Sequence, residues 1–231
     1  MASDLLTHAG QTLRLLPGRG LFWQEAQVLI LADLHLGKAA HLRHYGMPVP
    51  EGHTAGDLAR LTDMLRQTGA REVIIAGDFF HAATAQSPAV LRLVENWRAA
   101  HPEVVVTLVI GNHDQGRALP PPSCGIESVG PLLHRAPFHI IHDPAHATSG
   151  YPTLSGHLHP VVSLPGPRPL KAPCFWWQAA SQTLVLPAFS SFTAGVPIRP
   201  AIGDTLHAIH GETIIHVPTF FCRPAAGYPG S

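Results

Sequence analysis

The chain has 231 residues, with 15 Lys plus Arg, 15 Asp plus Glu and 17 His, so its formal net charge is zero when His is neutral. Hydrophobic residues make up 45% of the chain and charged residues 13%, about half of the usual ~25% charged content. This composition excludes an intrinsically disordered chain, and the absence of an eighteen-residue apolar run excludes a membrane-spanning helix. The balanced charge provides no overall attraction to nucleic acid, so any such attraction must be local.

The N-terminus and the cysteines indicate a cellular compartment. The first residues lack a basic region followed by an apolar stretch, which predicts no secretory signal peptide. Cys124, Cys174 and Cys222 are odd in number and form no CxxC pair, which favours neither a disulfide framework nor a cysteine zinc site. We therefore expect a cytoplasmic protein.

Strands and helices alternate in the first half of the chain. In chain order we predict a strand over 26–32, a helix over 54–68, a strand over 72–76, a helix beginning at Pro88 and a strand over 104–110. Thr54 and Ser87 are suitable N-caps for the two helices. This alternation is typical of a mostly parallel sheet in an α/β protein.

The pattern changes after Gly111, where short β-runs separated by Pro and Gly replace the helical periodicity. We predict strands over 138–142, 151–155, 161–164, 174–178, 183–186, 204–209 and 213–217. They are expected to form a second sheet of antiparallel strands. The fold class is thus α/β, a four-layer sandwich of two mixed β-sheets flanked by helices. One domain would span residues 1–222, followed by an irregular tail over 223–231.

Polar side chains suited to metal binding follow five of the predicted strands. In chain order they are Asp33 and His35, then Asp78, then Asn112, His113 and Asp114, then His142, and finally His157 and His159. In open α/β sheets, binding sites form at the carboxyl ends of the strands. The sequence therefore predicts one site that collects these side chains at a shared edge.

Spacing supports this prediction. Asp33 and His35 are two residues apart, as are His157 and His159, and in extended backbone two such side chains point to the same side. Glycines at positions 77, 111 and 156 permit tight turns and close approach of the backbone to ions or phosphate. Nitrogen and oxygen ligands without thiolate suit Mn, Fe, Zn or Co. Seven ligands exceed one tetrahedral site but suffice for two ions about 3.5–4 Å apart with one bridging carboxylate.

The ordered segments DLH, GD, GNHD, H and GHLH resemble the calcineurin-like binuclear metallophosphoesterases. The resemblance spans Asp33 to His159 and implies a ligand set for each of two divalent ions, with Mn²⁺ preferred and Fe, Zn or Co as alternatives. It implies that Asp33, His35 and His159 hold the first ion, that Asn112, His142 and His157 hold the second, and that Asp78 bridges both. It also implies that His113 protonates the leaving oxygen or stabilises charge on the phosphoryl group, with Asp114 orienting His113.

A closer resemblance extends over almost the whole chain. The segments LADLHLGKAAHLRHYGMPVPEG, APCFWW and LPAFSSFTAG are similar to those of the bacterial ligase-associated DNA-damage-response phosphoesterases. That family is described as endonucleases and is grouped with a DNA ligase, a helicase and a nuclease. The resemblance therefore implies a DNA substrate and partners from one repair system.

Three basic or imidazole side chains are predicted on the substrate side. The GDFFH segment is similar to that of double-strand-break repair nucleases, in which the corresponding His faces the substrate, and this singles out His81. Lys38 and Arg43 belong to a basic cluster directly after DLHLG, which suits contact with a phosphate backbone. A solvated loop face explains the same cluster equally well. His139 and His146 compete with His142 for the role of ligand.

These observations predict a metal-dependent phosphoesterase that hydrolyses phosphodiesters, with a DNA endonuclease linked to repair as the preferred activity. One alternative is a phosphodiesterase or pyrophosphatase that acts on a nucleotide or a lipid. The other is a repair-complex subunit that has lost its catalytic power, although such a subunit has no need to retain seven ligands and an acid. The sequence does not indicate an oligomeric state.

Overall fold

A computed structural model describes residues 4–164 and 170–218, and within these ranges the chain forms sixteen β-strands and three α-helices. The strands are β1 Leu5–His8, β2 Gln11–Leu16, β3 Gly20–Trp23, β4 Val28–Leu31, β5 Glu72–Ala76, β6 Val105–Val109, β7 Glu127–Val129, β8 Leu132–Arg135, β9 Phe138–Ile141, β10 Thr153–Ser155, β11 Pro160–Leu164, β12 Leu170–Gln178, β13 Thr183–Val185, β14 Val196–Pro197, β15 Thr205–His210 and β16 Thr213–Val217. The helices are α1 Lys38–His44, α2 His53–Thr68 and α3 Pro88–Ala100. The predicted tail over 223–231 and Cys222 lie outside the described residues.

The first sheet contains seven strands in the order β1-β2-β3-β4-β5-β6-β7. Its strands β4 to β7 run parallel, whereas β1 to β4 are joined as antiparallel neighbours. Because helices connect the parallel strands, β4, β5 and β6 all end at the same edge. This edge carries the first three groups of polar side chains named above.

Both faces of the parallel strands are buried, and each face has its own cluster of apolar residues. Leu29 and Leu31 of β4 pack with residues of α2 and α3 on the outer face of the sheet. The intervening residue, Ile30, packs against strands of the second sheet. This alternation follows from the two-residue period of a strand, and it fixes β4 between the helices and the second sheet.

The second sheet contains nine of the described strands, with β14-β11-β12-β13-β10-β9-β8 in order and with β15 and β16 joined through β12. It is mixed, because β10 pairs in parallel with both β9 and β13. The prediction of a second sheet built of antiparallel strands was therefore wrong for the pairs β9–β10 and β10–β13, and also for β11–β14. As a consequence, β9, β10 and β13 end at one edge, and that edge faces the carboxyl ends of β4, β5 and β6.

The predicted fold class, α/β with two packed mixed sheets, is confirmed, although no α-helix follows Ala100 in the described part of the chain. Ser87 caps α3 as predicted, since its side chain accepts a hydrogen bond from the Val90 N–H. Thr54 is not the N-cap of α2, which follows Gly52. The Thr54 hydroxyl instead accepts a hydrogen bond from the Gly37 N–H at the start of α1.

The helices in the described part of the chain do not combine the length and the apolar character that a membrane-spanning helix requires.

Candidate metal centre

The segments after β4 and β5 run side by side beyond the sheet. The Asp33 N–H donates to the Gly77 carbonyl at 3.2 Å, and the His35 N–H donates to the Asp78 carbonyl at 2.9 Å. The Ser190 N–H donates to the Asp33 carbonyl at 3.2 Å from the other side. These hydrogen bonds extend the strand pairing beyond β4 and β5 and hold the side chains of Asp33, His35 and Asp78 at the edge.

Five of the predicted ligands have left-handed backbone conformations. Their φ angles are 55° for Asp33, 43° for His35, 57° for Asp78, 70° for His157 and 45° for His159. The expectation that each two-residue pair converges because the backbone is extended was therefore wrong. Such conformations cost about 1–3 kcal/mol each for residues other than glycine and persist where the surrounding structure enforces them. The ligands converge because the chain turns sharply at each of them.

The three glycines that accompany these ligands leave room for their side chains. A Cβ atom at Gly77 would collide with the His142 imidazole, and one at Gly111 would collide with the Asp78 carboxylate. A Cβ atom at Gly156 would lie 2.7 Å from Asp33 Oδ2. At these positions the backbone thus approaches ligand side chains closely, whereas the approach of the backbone to ions or phosphate stays a prediction.

One group of ligand atoms comes from Asp33, His35 and His159. Their ligand atoms all lie within 4.8 Å of one another. Asp33 Oδ1 is 3.2 Å from His159 Nε2, and His159 Nε2 is 3.4 Å from His35 Nε2. Asp33 is fully buried, and its Oδ1 atom makes no hydrogen bond among the described residues.

A second group comes from Asn112, His142 and His157. Asn112 Oδ1 is 2.8 Å from His142 Nε2, and His157 Nδ1 is 3.0 Å from the same nitrogen. His142 Nδ1 lies 3.0 Å from the Ala76 carbonyl, to which it would donate a hydrogen bond when protonated at that nitrogen. This contact leaves the lone pair of Nε2 directed at the group.

Asp78 lies between the two groups. Its Oδ2 atom is 3.7 Å from His35 Nε2 and 3.4 Å from His142 Nε2. Its Oδ1 atom accepts a hydrogen bond from the His113 N–H at 2.9 Å. One carboxylate oxygen of Asp78 therefore faces imidazole nitrogens of both groups, while the other oxygen fixes the orientation of the carboxylate.

The chemistry of these groups fits two divalent cations. Imidazole nitrogens face each other at 3.0 and 3.4 Å, which is unfavourable for protonated rings. Burial and the neighbouring imidazoles lower the pKa of His35 to about 2, and burial raises the pKa of the Asp78 carboxyl. The site thus gathers imidazoles around the buried side chains of Asp33 and Asp78, and Asp33 Oδ1 makes no hydrogen bond among the described residues. This arrangement suits cations with nitrogen and oxygen ligands.

His113 borders this array without belonging to the two groups above. Its Nδ1 atom is 2.7 Å from the His81 carbonyl, to which it would donate a hydrogen bond, and its Nε2 atom is 4.0 Å from Asp78 Oδ2. The contact with the carbonyl directs Nε2 toward the centre of the site. The imidazole of His113 is 37% exposed, so a substrate in the site can reach it.

The predicted role of Asp114, to orient the His113 imidazole, was wrong. The buried Asp114 carboxylate accepts hydrogen bonds from the backbone N–H groups of Asp78, Phe79 and Gly111, at 2.6 to 2.9 Å. Burial raises the pKa of Asp114 to about 6 despite these hydrogen bonds. Asp114 therefore joins the segments after β5 and β6, and the His81 backbone carbonyl contacts the His113 imidazole. No side-chain pattern in the sequence could have indicated a carbonyl.

The predicted substrate-side residues differ in their surroundings. The His81 ring stacks on the His113 ring with centroids 5.2 Å apart, and burial and the nearby Lys38 lower the pKa of His81 to about 4. Arg43 instead donates to the Val49 carbonyl at 3.1 Å and lies 3.5 Å from Glu51 Oε1. Arg43 thus stabilises the loop after α1. These contacts differ from its predicted contact with a phosphate backbone.

Two further histidines lie near the residues predicted for the site. His139 stacks on Tyr151 with ring centroids 4.3 Å apart, whereas His142 Nε2 lies 2.8 Å from Asn112 Oδ1 and 3.0 Å from His157 Nδ1. His41 was not predicted as a site residue, yet its ring lies 4.9 Å from that of His81. It lies in α1, which has no apolar stripe and therefore gave no helical signal.

Comparison with known proteins shows the family of the chain. Residues 26–212, well over half of the chain, match the calcineurin-like phosphoesterase family, and the chain belongs to that family. A crystal structure of the nuclease MPE from Pseudomonas putida has 38% sequence identity and a TM-score of 0.78, covering 91% of this chain and 98% of that one. A structure of YfcE, a phosphoesterase from E. coli, has 13% identity and a TM-score of 0.42, covering 85% of this chain and 94% of that one. Comparison with curated proteins gives no match.

Proposed function

We propose that the chain is a phosphodiesterase that cleaves nucleic acid with the help of two divalent metal ions. The observation that carries the proposal is the position of Asp78 Oδ2 between imidazoles of the two ligand groups. Asp33, His35 and His159 would hold one ion, Asn112, His142 and His157 would hold the other, and Asp78 would bridge them. When bound, two such ions neutralise charge on the phosphoryl oxygens and lower the pKa of coordinated water. We propose Mn²⁺ as the ion, with Fe, Zn and Co as alternatives.

His113 is proposed as the general acid. With Nδ1–H donating to the His81 carbonyl, a proton on Nε2 is available to the leaving oxygen as its bond to phosphorus breaks. Such proton transfer contributes about 10²- to 10⁴-fold to a rate. Asp114 is proposed as a positioning residue, because its hydrogen bonds connect the backbone of Asp78 to that of Gly111.

Nucleic acid is proposed as the substrate because the similar Pseudomonas putida protein is a nuclease. Lys38 and His81 are proposed to contact phosphates of the bound strand. DNA, a role in repair, and a DNA ligase, a helicase and a nuclease as partners are proposed from the closer family resemblance. A small nucleotide or lipid diester, the first alternative substrate, would use the same site. The position of Asp78 Oδ2 between imidazoles of both ligand groups argues against the second alternative, a catalytically inert subunit.

Two comparisons of substrates test the proposal. Protein loaded with Mn²⁺ should hydrolyse bis(p-nitrophenyl) phosphate faster than p-nitrophenyl phosphate, and it should cut single-stranded or duplex DNA. Asp78→Ala should abolish both activities. Asp63→Ala, which removes an exposed carboxylate on α2 that pairs with Arg66, should abolish neither.

The outcomes distinguish the proposed function from its alternatives. A strong preference for the monoester would contradict a diesterase. Cleavage of dinucleotides without cleavage of DNA would favour the small-molecule enzyme. Inactivity toward every phosphoester, in protein shown by elemental analysis to hold two ions, would support the inert subunit.

A further inference from the structure

A cavity of about 520 Å³ opens directly beside the ligand array. Its walls include Asn112, His142 and His157, which form the second ligand group. The cavity is therefore continuous with the site, and a substituent on a phosphate held there could extend into it. This volume lies within the usual range for small-molecule sites, about 300–1,000 Å³.

Asp143 and His146, which follow β9, also line the cavity. A further part of the wall comes from the place where the chain passes between the two sheets. β7 is the last strand of the first sheet and β8 is an edge strand of the second, and Pro131 lies between them. Pro131, Leu132 and Ile141 form an apolar part of the wall. Leu132 is 42% exposed although it is a large apolar side chain. Gln115, on the loop after Asp114, adds an amide group to the same cavity.

We infer that this cavity binds the nucleoside on the retained side of the scissile phosphate, an inference that rests on the proposed function. Apolar walls suit the faces of a nucleobase, and the Gln115 amide can both donate to and accept from the edge of a base. The cavity extends from the second ligand group, so its occupant must be attached to the phosphate that the site holds.

The position of His113 determines which side of the phosphate enters the cavity. His113 does not line the cavity, and its ring instead lies 5.1 Å from that of His35, in the first ligand group. The proposed acid therefore lies beside the first ligand group, whereas the cavity lies beside the second. Since the leaving oxygen must be near His113, the cavity receives the substituent that stays on phosphorus.

Two esters that differ only in the retained group test this inference. Thymidine 5′-(p-nitrophenyl phosphate) and methyl p-nitrophenyl phosphate are both diesters and both release p-nitrophenolate when water attacks phosphorus. The wild-type protein with Mn²⁺ should prefer the nucleoside ester by at least about tenfold in kcat/KM, a typical discrimination by a fitted pocket. The preference should lie mainly in KM.

Two variants of the cavity wall should remove this preference. In Leu132→Asp and in Gln115→Ala, the advantage of the nucleoside ester over the methyl ester, measured as the ratio of the two kcat/KM values in the same preparation, should fall to within about twofold. Leu5→Asp is the matched control, because Leu5 is 52% exposed on β1, the edge strand at the far side of the first sheet. It should leave the preference unchanged.

Calorimetry provides a readout that does not depend on turnover. Thymidine 5′-monophosphate should bind the wild-type protein more tightly than methyl phosphate does, and both cavity variants should lose this difference. Equal use of the two esters by the wild-type protein, or a preference that survives in both variants, would overturn the inference while leaving the proposed function intact. Failure to hydrolyse either ester would overturn the proposed function, and the inference with it.

Discussion

Two regions of the molecule are formed by the same strands but differ in their backbone and side chains. One is the space between the two sheets, and the other is the edge at which the strands end. Between the sheets, Ile30 and Ile74 lie in regular strands, are fully buried and contact other apolar side chains. A few residues further along, Asp33 and Asp78 have positive φ angles, and Asp33 Oδ1 is buried without a hydrogen bond among the described residues. The interior thus has the backbone angles and apolar contacts that its residue types favour. The edge departs from these preferences in its positive φ angles and in a buried polar atom without a hydrogen bond.

The difference shows what each region contributes. Strained backbone and unpaired buried groups are unfavourable, so they persist at the edge only because the interior and the flanking hydrogen bonds hold them. Natural sequences are otherwise locally consistent with their fold, and exceptions collect at functional sites. If this interpretation is correct, changes at the edge should affect metals and catalysis, and changes in the interior should affect stability.

The largest expected effect at the edge belongs to His113→Ala. Loss of a proton donor should lower the rate for an alkoxide leaving group, such as the sugar oxygen of DNA, by about 10²- to 10⁴-fold. The rate for p-nitrophenyl diesters should fall much less, because p-nitrophenolate leaves without protonation. Turnover of the two kinds of substrate by the same preparation measures this contrast.

Metal content is the control for this variant, since His113 is proposed to act on the substrate. Elemental analysis should find two ions per chain in the wild-type protein and in His113→Ala. Loss of one ion would show that His113 is a metal ligand, and an equal fall in rate for both leaving groups would contradict its role as the acid.

A smaller effect, about 100-fold on activity, is expected for Gly77→Ala. The added Cβ would collide with the His142 imidazole and should displace it from the second ligand group. Gly69→Ala is a matched control, because Gly69 also has a positive φ, 67°, but has open space around it. Both variants should lose about 1–2 kcal/mol of stability from the left-handed backbone. Only Gly77→Ala should weaken metal binding, which titration with Mn²⁺ would measure.

Equal metal affinity in Gly77→Ala and Gly69→Ala would show that the glycine serves the backbone turn alone. That result would remove the close approach to His142 as the reason for glycine at this position. It would also weaken the distinction between the ligand edge and an ordinary strained turn such as the end of α2.

In the interior, Ile30→Val should have the opposite profile. Removing one buried methyl group should lower the free energy of unfolding by about 0.5–1.5 kcal/mol, as measured by denaturant titration. The kcat of the folded protein should stay at its wild-type value. A change in kcat would mean that packing between the sheets adjusts the positions of the ligands, so that the two regions are not separable.

The parts of the fold that could be predicted from the sequence are those with strong periodic or apolar signals. β5 has the predicted bounds, and β4 and β6 lie within the predicted ranges. The strands β1 to β3 were missed, because their segments are short and rich in turns. α1 was missed because only Ala39 is buried in it, so it has no apolar face to recognise.

For the site, residue types and positions at strand ends were enough to predict which side chains meet. The reason they meet was not available, because left-handed φ angles at residues such as His35 and His157 contradict the ordinary preferences of those residue types. The partners of Asp114 are backbone N–H groups, which leave no trace in the sequence. The cavity beside His142 depends on how two sheet edges meet, and no local pattern encodes that.

The smallest effect is expected for Arg43→Ala. This variant tests whether the loop after α1 contacts DNA. The Arg43 guanidinium is engaged by the Val49 carbonyl and by Glu51, so its removal should cost at most about 1 kcal/mol of stability and should leave DNA binding nearly unchanged. Lys38→Ala should weaken DNA binding and reduce the slope of log affinity against log salt by about one, as expected for one lost phosphate contact. Binding measured over a range of salt concentrations compares the two variants. A reduced slope in Arg43→Ala would show that the loop after α1 contacts the DNA. An arginine that binds only groups of its own loop releases no counterions when DNA binds.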